Sequence, residues 1–402
     1  MAVTEGAKTR TLKFGIAGLG VASTEILPNV AANAHYEVVA AAEPRPAGRE
    51  RFEREYEGKA YETVEAMCDR PDLDAIYVCT PNNFHAQHVI AAAERGKHVI
   101  VEKPMAPTID ECEKMNEAAD RYGIKLLCGH THSFDPPIRK IRQIVASGEL
   151  GKLTLINTLH YQDFMYRARM PQELDSSKGG NVVFNQGPHA IDIVRLIGGG
   201  LVRSVRAMTG IWDPKRRAEG AWAAFIEFED GTPALNQFSG YAHWDTAEFT
   251  GWMGESPSNP EKNLRSRARI ASFKSIEEEA EAKSQSRYGG ANQSVRSHSA
   301  DAPWAHFGIT IVSCEHGDIR QSPHGLFIYG DEKNWEVPVE HGEFKHGRQA
   351  ELDELYHAVV EDRPVFHDGR WGEATLEVVL AIMQSAKERR EIMMAHQVPT
   401  PD

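Results

Sequence analysis

Apolar and polar residues follow a repeating order in the N-terminal part of the chain. Short apolar runs such as Leu12–Ala17 are bounded by Gly, Pro and Asn, and segments with apolar residues at helical spacing, such as Ile109–Tyr122, lie between them. Strands that alternate with helices of this length predict a parallel, doubly wound sheet with right-handed crossovers. The other predicted strands cover 37–42, 75–79, 99–101 and 124–128, and the other predicted helices cover 23–34, 45–56 and 84–95.

The order changes after Phe134. A mainly antiparallel sheet is predicted by longer segments in which β-branched and aromatic residues alternate, at 153–164, 202–211, 221–228, 233–241, 307–314 and 325–329. Helices are predicted at 136–147, 181–197, 349–360 and 373–392. Residues 251–305 are polar and predict a surface excursion with a short solvated helix at 275–283. The predicted class is therefore α/β, with a doubly wound domain at 1–132 and an α+β domain with an open sheet at 133–402.

Composition narrows the range of partners. The chain has 402 residues, of which 41% are hydrophobic and 26% charged, as in ordinary globular proteins with more than one core. A net charge of -13 argues against nucleic acid as the main partner. No apolar window is long enough for a membrane span, and the polar N-terminus predicts no export. The five cysteines are scattered without a CxxC pair, which predicts reduced thiols in a cytoplasmic protein.

A glycine-rich turn follows the first predicted strand. Gly18 and Gly20, then Val21 and Ala22, precede a helix, and Ser23 takes the third position of the glycine motif. Dinucleotide binding needs this arrangement, because a tight turn lets the backbone approach the pyrophosphate at a helix N-terminus. The alternative is a tight turn with a purely structural role.

The end of the second predicted strand bears on the choice of cofactor. Glu43 is the acid expected to accept hydrogen bonds from the ribose, which favours NAD. Arg45, two residues later, suits the 2′-phosphate of NADP. NAD is therefore the predicted cofactor, and NADP stays possible.

Two further strand ends carry residues suited to the nicotinamide half of a dinucleotide. Pro104 stops the ladder and biases Lys103 to an extended conformation, so that Lys103 is presented at the edge where ligands bind in open α/β sheets. Residues 80–85 follow the other strand, 75–79. For them the alternative is a turn followed by an N-capped helix, and for His85 both interpretations are equally open. The candidate cofactor contacts are Thr80, Pro81, Asn82, Asn83, His85, Glu102 and Lys103.

These motifs together resemble those of the Gfo/Idh/MocA oxidoreductase family. The segments that carry the resemblance are Gly18-Leu-Gly20, Thr80-Pro-Asn-Asn-Phe-His85, Glu102-Lys-Pro104 and residues 179–192. The resemblance implies a Rossmann domain, a C-terminal domain for substrate binding and oligomerisation, and NAD(P)-dependent dehydrogenation of CH–OH or CH–CH donors. It also implies a homodimer or homotetramer.

Segments 171–175, 184–187 and 314–322 are most similar to the family branch that oxidises phthalate dihydrodiols. The substrate implied is therefore a cis-dihydrodiol of an aromatic carboxylate such as phthalate. Oxidation of a sugar, inositol or glycoside is the first alternative. A non-catalytic dinucleotide-binding regulator is the second.

The resemblance also implies roles for three residues. Lys103 matches the family lysine that contacts substrate and nicotinamide, and His189 matches the histidine that exchanges a proton. Asn185 stands where many members have an aspartate, so it can orient a hydroxyl but cannot take a proton. Asp192 follows His189 by three residues on a predicted helix, which favours a pair between them. The alternative for His189 is a buried core histidine.

A carboxylate substrate needs cations. Arg167 and Arg169 follow the predicted strand that contains His160, and they are candidate bidentate clamps, with surface arginines as the alternative. His160, Gln186 and His189 complete the predicted substrate site. The histidines at 130, 132, 316 and 324 lack a tight ligand spacing, so no metal is predicted.

Overall fold

The computed structural model describes residues 10–176, 180–291, 303–343 and 347–400. Its first sheet has six strands, all parallel, in the order β3-β2-β1-β4-β5-β6, which confirms the predicted Rossmann topology. The elements are β1 Leu12–Ala17, α1 Ser23–Ala32, β2 Tyr36–Ala42, α2 Pro46–Tyr56, β3 Lys59–Tyr61, α3 Val64–Cys68, β4 Ala75–Val78, α4 His85–Ala93, β5 His98–Glu102, α5 Ile109–Tyr122 and β6 Leu126–Gly129.

The strand order reverses between β1 and β4. Strands β2 and β3 lie on one side of β1, and β4, β5 and β6 lie on its other side. In doubly wound sheets the crevice beyond the carboxyl ends of two such strands is the usual ligand site. The glycine turn after β1 and the Thr80 segment after β4 both lie at this crevice.

The second sheet has nine strands in the order β14-β13-β12-β11-β7-β10-β9-β8-β15. Only β7 and β10 pair in parallel, so the predicted mainly antiparallel sheet is confirmed. The elements are α6 Pro136–Ser147, β7 Leu153–Tyr161, α7 Val182–Gly198, β8 Val202–Gly210, β9 Ala221–Phe228, β10 Pro233–Ser239, α8 Lys262–Ser272, α9 Ile276–Ser284, β11 Ile309–Cys314, β12 Gly317–Ser322, β13 Gly325–Gly330, β14 Asn334–Pro338, α10 Gly347–Val360, α11 Gly369–Glu388 and β15 Ile392–Met393.

The two faces of this sheet differ. Helices α7 and α11 pack on one face, which is lined by buried residues such as Ile226 and Val312. On the other face Phe225 lies opposite Leu235, and Ile311 lies on the neighbouring pair of strands. Phe225 is 47% exposed and Ile311 is 39% exposed. The second face therefore presents apolar side chains that no described element covers.

Several elements had no clear signal in the sequence. Strand β12 contains a single large apolar residue, Ile319, yet it pairs with β11 on one side and β13 on the other. Strands β3, β14 and β15 are short, and helices α3 and α8 are short or polar. Such segments are ordered by their neighbours rather than by local preference.

The prediction that residues 251–305 form a solvated surface excursion is corrected by the structure, which buries part of the segment. Helix α9 lies where a solvated helix was expected, but its Glu279 is buried and accepts hydrogen bonds from Arg216 at 2.8 and 3.0 Å. Tyr288 is also buried, and its backbone N–H donates to the Gly20 carbonyl at 3.1 Å. Polar composition concealed these contacts because they join the segment to distant residues. Residues 292–302 of the excursion lie outside the described residues.

Helix α10 returns to the first sheet. It belongs to residues 133–402 by sequence, but Leu352, Leu355 and Tyr356 share a buried cluster with Leu12 and Phe14 of β1. The domain boundary at 132/133 stays a prediction. None of the described helices is long and apolar enough to cross a membrane.

Candidate active site

The glycine turn has the geometry that a pyrophosphate needs. Gly18 has φ +96°, and a Cβ there would lie 2.9 Å from the Cys79 carbonyl oxygen, so only glycine fits this approach of β1 to β4. A Cβ at Gly20 would meet no atom within 4 Å, which leaves open space beside the backbone. Ser23 begins α1 and donates its hydroxyl to the Gly20 carbonyl at 2.9 Å. The turn therefore fits the phosphates of a dinucleotide.

Glu43 and Arg45 form an ion pair at the edge of a groove of about 790 Å³. Glu43 Oε1 accepts from the backbone N–H and Nε of Arg45 at 2.9 and 2.8 Å, and Oε2 accepts from the Leu19 N–H at 3.0 Å. Burial raises the pKa of Glu43, but these hydrogen bonds outweigh it and lower the pKa. An ionised carboxylate is thus present where a ribose is expected. Gly18, Gly20 and Val21 line the same groove.

The turn after β4 joins two cavities. Thr80, Pro81 and Asn82 line the dinucleotide groove, and Pro81, Asn82 and Asn83 also line a second cavity of about 750 Å³. Asn185 lines this second cavity from helix α7. The turn after β4 and Asn185 therefore meet where the two cavities adjoin.

The prediction that His85 and Glu102 contact the cofactor is corrected, because both side chains are buried and directed into the protein. The His85 ring lies between backbone carbonyls, with Nε2 2.9 Å from the Thr80 oxygen and Nδ1 3.1 Å from the Pro104 oxygen. Glu102 pairs with Arg348 from helix α10. Neither side chain is placed to contact a cofactor. They support the turns that carry Thr80 and Lys103.

Lys103 reaches from the end of β5 to helix α7. Its Nζ donates to the Asn185 carbonyl oxygen at 3.0 Å. Burial lowers the pKa of Lys103, and Glu102 and Glu255 oppose this effect. An ammonium group has three donors, so the contact with Asn185 leaves donors for a substrate hydroxyl.

His189 lies one helical turn after Asn185 and is buried. Burial, followed by the charges of Lys103 and His132, lowers the pKa of His189 well below its usual value. The ring is therefore neutral near pH 7, and its Nδ1 has no hydrogen-bond partner among the described residues. The predicted pair with Asp192 is wrong, since the Asp192 carboxylate accepts from Trp371 Nε1 at 2.6 Å instead.

The remaining predicted substrate residues fall into two groups. Arg169 is buried beside the second cavity, with its guanidinium 3.6 Å from the centre of the Phe164 ring. The guanidinium pairs with Glu173 at 3.5 Å, and burial lowers the pKa of Arg169 to about 10, so it stays cationic. Arg167 is instead paired with Asp163 at 2.9 Å.

His160 and Gln186 are both buried near this region. The His160 ring packs edge-on against Phe307 at 4.5 Å, and burial lowers the pKa of His160 to about 4. Gln186 donates to the Asn185 side chain at 2.8 Å. Their placement as substrate contacts stays a prediction.

Three residues that sequence reasoning missed also belong to this region. Arg348 pairs with Glu102 beneath Lys103, and Glu255 lies 3.8 Å from His132. His132 had a positional signal, because it follows the last parallel strand at its carboxyl end. Arg348 and Glu255 had none, because each lies in a polar segment far along the chain.

Comparisons with known proteins agree with the fold of both domains. Residues 12–130 match the model of an oxidoreductase family with an NAD-binding Rossmann fold, and residues 138–254 match the model of the GFO/IDH/MocA C-terminal domain. The chain is 36% identical to 1-carboxy-3-chloro-3,4-dihydroxycyclo hexa-1,5-diene dehydrogenase of Comamonas testosteroni, over 94% of this chain and 95% of that protein.

Two further similarities extend the comparison. Levoglucosan dehydrogenase of Pseudarthrobacter phenanthrenivorans is 28% identical over 39% of this chain and 41% of that protein. A crystal structure from Bordetella bronchiseptica RB50 superposes with a TM-score of 0.87 and 39% identity, covering 96% of this chain and 100% of that one.

Proposed function

Because the chain belongs to the Gfo/Idh/MocA family of NAD(P)-dependent oxidoreductases, we propose that it oxidises a cis-dihydrodiol of an aromatic carboxylate. The observation that carries the proposal is Arg169, a buried and loosely paired cation in the cavity that adjoins the cofactor groove. Such a cation is suited to a carboxylate on the substrate. The similarity to the Comamonas testosteroni enzyme over nearly the whole chain supports the same substrate class.

The chemistry divides between a hydride acceptor and a base. The nicotinamide, when bound, accepts the hydride from the carbinol carbon. Lys103 Nζ, held at the Asn185 carbonyl, donates a hydrogen bond to the substrate hydroxyl and stabilises developing negative charge on oxygen. His189 takes the hydroxyl proton, because its ring is neutral and buried beside Lys103. The hydroxy-ketone formed from a dihydrodiol then tautomerises to the catechol, as the ring carbon that bears the second hydroxyl loses its proton and the carbonyl oxygen gains one.

We further propose NAD as the preferred cofactor, with NADP as the alternative. Glu43 is ionised at the edge of the groove, which favours hydrogen bonds to ribose hydroxyls. Arg45 and Arg287 also line the groove, which keeps the 2′-phosphate alternative open. A cytoplasmic location is proposed on the five cysteines, each of which is buried and unpaired.

An absorbance assay for reduced nicotinamide tests the substrate proposal. The purified protein is given NAD or NADP with 3,4-dihydroxycyclohexa-1,5-diene-1-carboxylate, the dihydrodiol of phthalate, the uncarboxylated diol, myo-inositol and levoglucosan. The carboxylated diols are expected to have the highest kcat/KM. Faster turnover of inositol or levoglucosan would instead support a sugar dehydrogenase.

Arg169→Met is expected to raise KM for a carboxylated diol by about 30-fold or more, since removing one partner of a buried charge pair costs about 2 kcal/mol or more. Methionine keeps part of the packing on Phe164 but offers no donor to a carboxylate. KM for the uncarboxylated diol should change little. The matched control is Arg265→Met, which removes an exposed arginine on α8. An equal rise in KM for both diols would show that Arg169 does not recognise the carboxylate.

We also propose that the uncovered face of the second sheet joins two copies of the chain. Phe225 on β9 and Ile311 on β11 are exposed on this face, with β10 and β7 between them, and exposed apolar faces of this kind are typical of interfaces. The double variant Phe225→Lys/Ile311→Lys is expected to reduce the mass measured by light scattering to that of one chain. Leu264→Lys, at a 69% exposed leucine on α8, is the control. A wild-type protein that is already monomeric would contradict the proposal.

A further inference from the structure

The helix that carries His189 does not direct a carboxylate toward it. Asn185, one turn earlier, has its side-chain oxygen bonded to Gln186 Nε2 at 2.8 Å, and an amide cannot take a proton. Asp192, three residues later, is bonded to Trp371 Nε1 at 2.6 Å. The positive charge that His189 gains with a proton must therefore be compensated from another element.

Glu255 brings a carboxylate to this place from the loop that follows β10. Its Oε1 lies 3.8 Å from His132 Nε2, and its Oε2 accepts from Gln162 Nε2 at 3.4 Å. The Glu255 side chain is 17% exposed, so its charge is poorly screened by water. The Glu255 carboxylate therefore lies beside the turn that follows the last parallel strand, which carries His132.

His132 connects Glu255 with the base. On its other side, His132 Nδ1 lies 2.7 Å from Asp135 Oδ2. The His132 ring is edge-on to the His189 ring, with the centroids 4.7 Å apart and the planes at 78°. His132 therefore lies between two carboxylates and directly beside the predicted proton acceptor.

These contacts set the charges of the cluster. Burial lowers the pKa of His132, but Asp135 and Glu255 outweigh it and raise the pKa to about 9. Burial raises the pKa of Glu255, but His132 and Arg167 outweigh it and hold the pKa well below its usual value. Near pH 7 the cluster thus contains an ionised Glu255, a cationic His132 and a neutral His189. Several charged and titratable groups surround these three side chains. They are Lys103 just after β5, His130 and Asp135 from beyond β6, and His160 and Arg167 from β7 and its following loop.

We propose that Glu255 is the positioning carboxylate of the acid–base site, where it holds His132 against His189 and compensates the charge that His189 gains from the substrate. In this step the O–H bond of the alcohol breaks and its proton passes to His189, while the hydride leaves the carbon that bears this hydroxyl for the nicotinamide. The inference rests on the proposed function for the identity of the alcohol. The charge state of His132 does not depend on it.

Glu255→Gln tests the inference, because it removes the charge and keeps the shape. In protein labelled with ¹³C at histidine Cε1, NMR is expected to show His132 titrating about one pH unit or more lower than in the wild type. With the carboxylated diol at pH 7, kcat is expected to fall about 10²-fold. KM, and the affinity for NADH measured by fluorescence, should stay within about threefold of the wild type.

Two further variants make the result decisive. Glu255→Asp keeps the charge and should retain a higher His132 pKa and a higher kcat than Glu255→Gln, and it carries the test should the Gln variant fail to fold. Glu261→Gln removes an exposed carboxylate of the same region and should leave both readouts unchanged. An unchanged His132 titration in Glu255→Gln, or wild-type kcat, overturns the inference. If the wild type turns over no dihydrodiol while the titration still shifts, the substrate proposal fails and the role of Glu255 toward His132 stands.

Discussion

Replacing Lys103 by methionine is expected to lower kcat by about 10³-fold, within the range of a positioned proton-transfer or hydrogen-bonding group. Methionine has a similar length but cannot donate to the substrate hydroxyl, and the contact of Nζ with the Asn185 carbonyl is lost. NADH binding, followed by fluorescence, should remain within about threefold of the wild type, because the glycine turn and Glu43 are unchanged.

The matched control for this prediction is Lys125→Met. Lys125 lies just before β6 and forms an exposed ion pair with Asp362 at 2.7 Å, remote in the sheet from the carboxyl end of β5. Its replacement should leave kcat unchanged. If Lys103→Met lost NADH binding and thermal stability together with turnover, Lys103 would be a structural residue rather than a catalytic one.

Replacing Arg348 by methionine is expected to lower the free energy of unfolding by about 3–5 kcal/mol, as measured by urea denaturation at pH 8. Arg348 is the cation of a buried cluster, in which it pairs with Glu102 and with Glu351 at 3.1 Å and donates to the Tyr77 hydroxyl. Without it, Glu351 loses its cationic partner, and Glu102 keeps only the nearby charge of Lys103. Glu351 already has its pKa raised to about 7, first by burial.

The pH dependence of this variant follows from the sign of the shifts. Arg348 lowers the pKa of both Glu102 and Glu351, so its loss raises both values in the folded state above those of the unfolded chain. The folded variant then binds more protons, and its stability falls as pH rises through this interval. The difference in free energy of unfolding between the wild type and Arg348→Met should therefore be smaller at pH 5 than at pH 8.

Arg370→Met is the control for the stability prediction, because Arg370 forms an exposed pair with Asp120 at 2.7 Å. Exposed pairs contribute about 0–1 kcal/mol, so this variant should remain close to the wild type. Equal losses in the two variants would show that the buried cluster is not held by Arg348.

Local pattern was most informative where one short segment contains all that a function needs. Gly18 and Gly20 lie between a strand and a helix, and the structure confirms both elements. Lys103 was predicted to stand at a strand end because of Pro104, and β5 does end at Glu102. Such features depend on backbone geometry over a few residues, which the sequence encodes directly.

Local pattern did not predict the partner of a side chain that had several candidates. His85 had equally good structural and functional interpretations, and its burial among carbonyl oxygens decided for structure. Asp192 had the right spacing for His189, but Trp371, which lies on α11, provides its hydrogen bond. Helical spacing predicts which residues are neighbours on one helix, but not which of several partners is bonded.

By itself, the sequence determined the doubly wound domain, the mainly antiparallel second sheet, the dinucleotide turn and the position of Lys103, because periodicity and turn chemistry are local properties. Only the tertiary structure decided what surrounds that lysine. Arg348 meets Glu102 across 246 residues, and Glu255 reaches His132 from a segment whose polar composition predicted exposure. Charge pairs of this kind depend on how the two sheets and their loops are packed, and no local pattern records that arrangement.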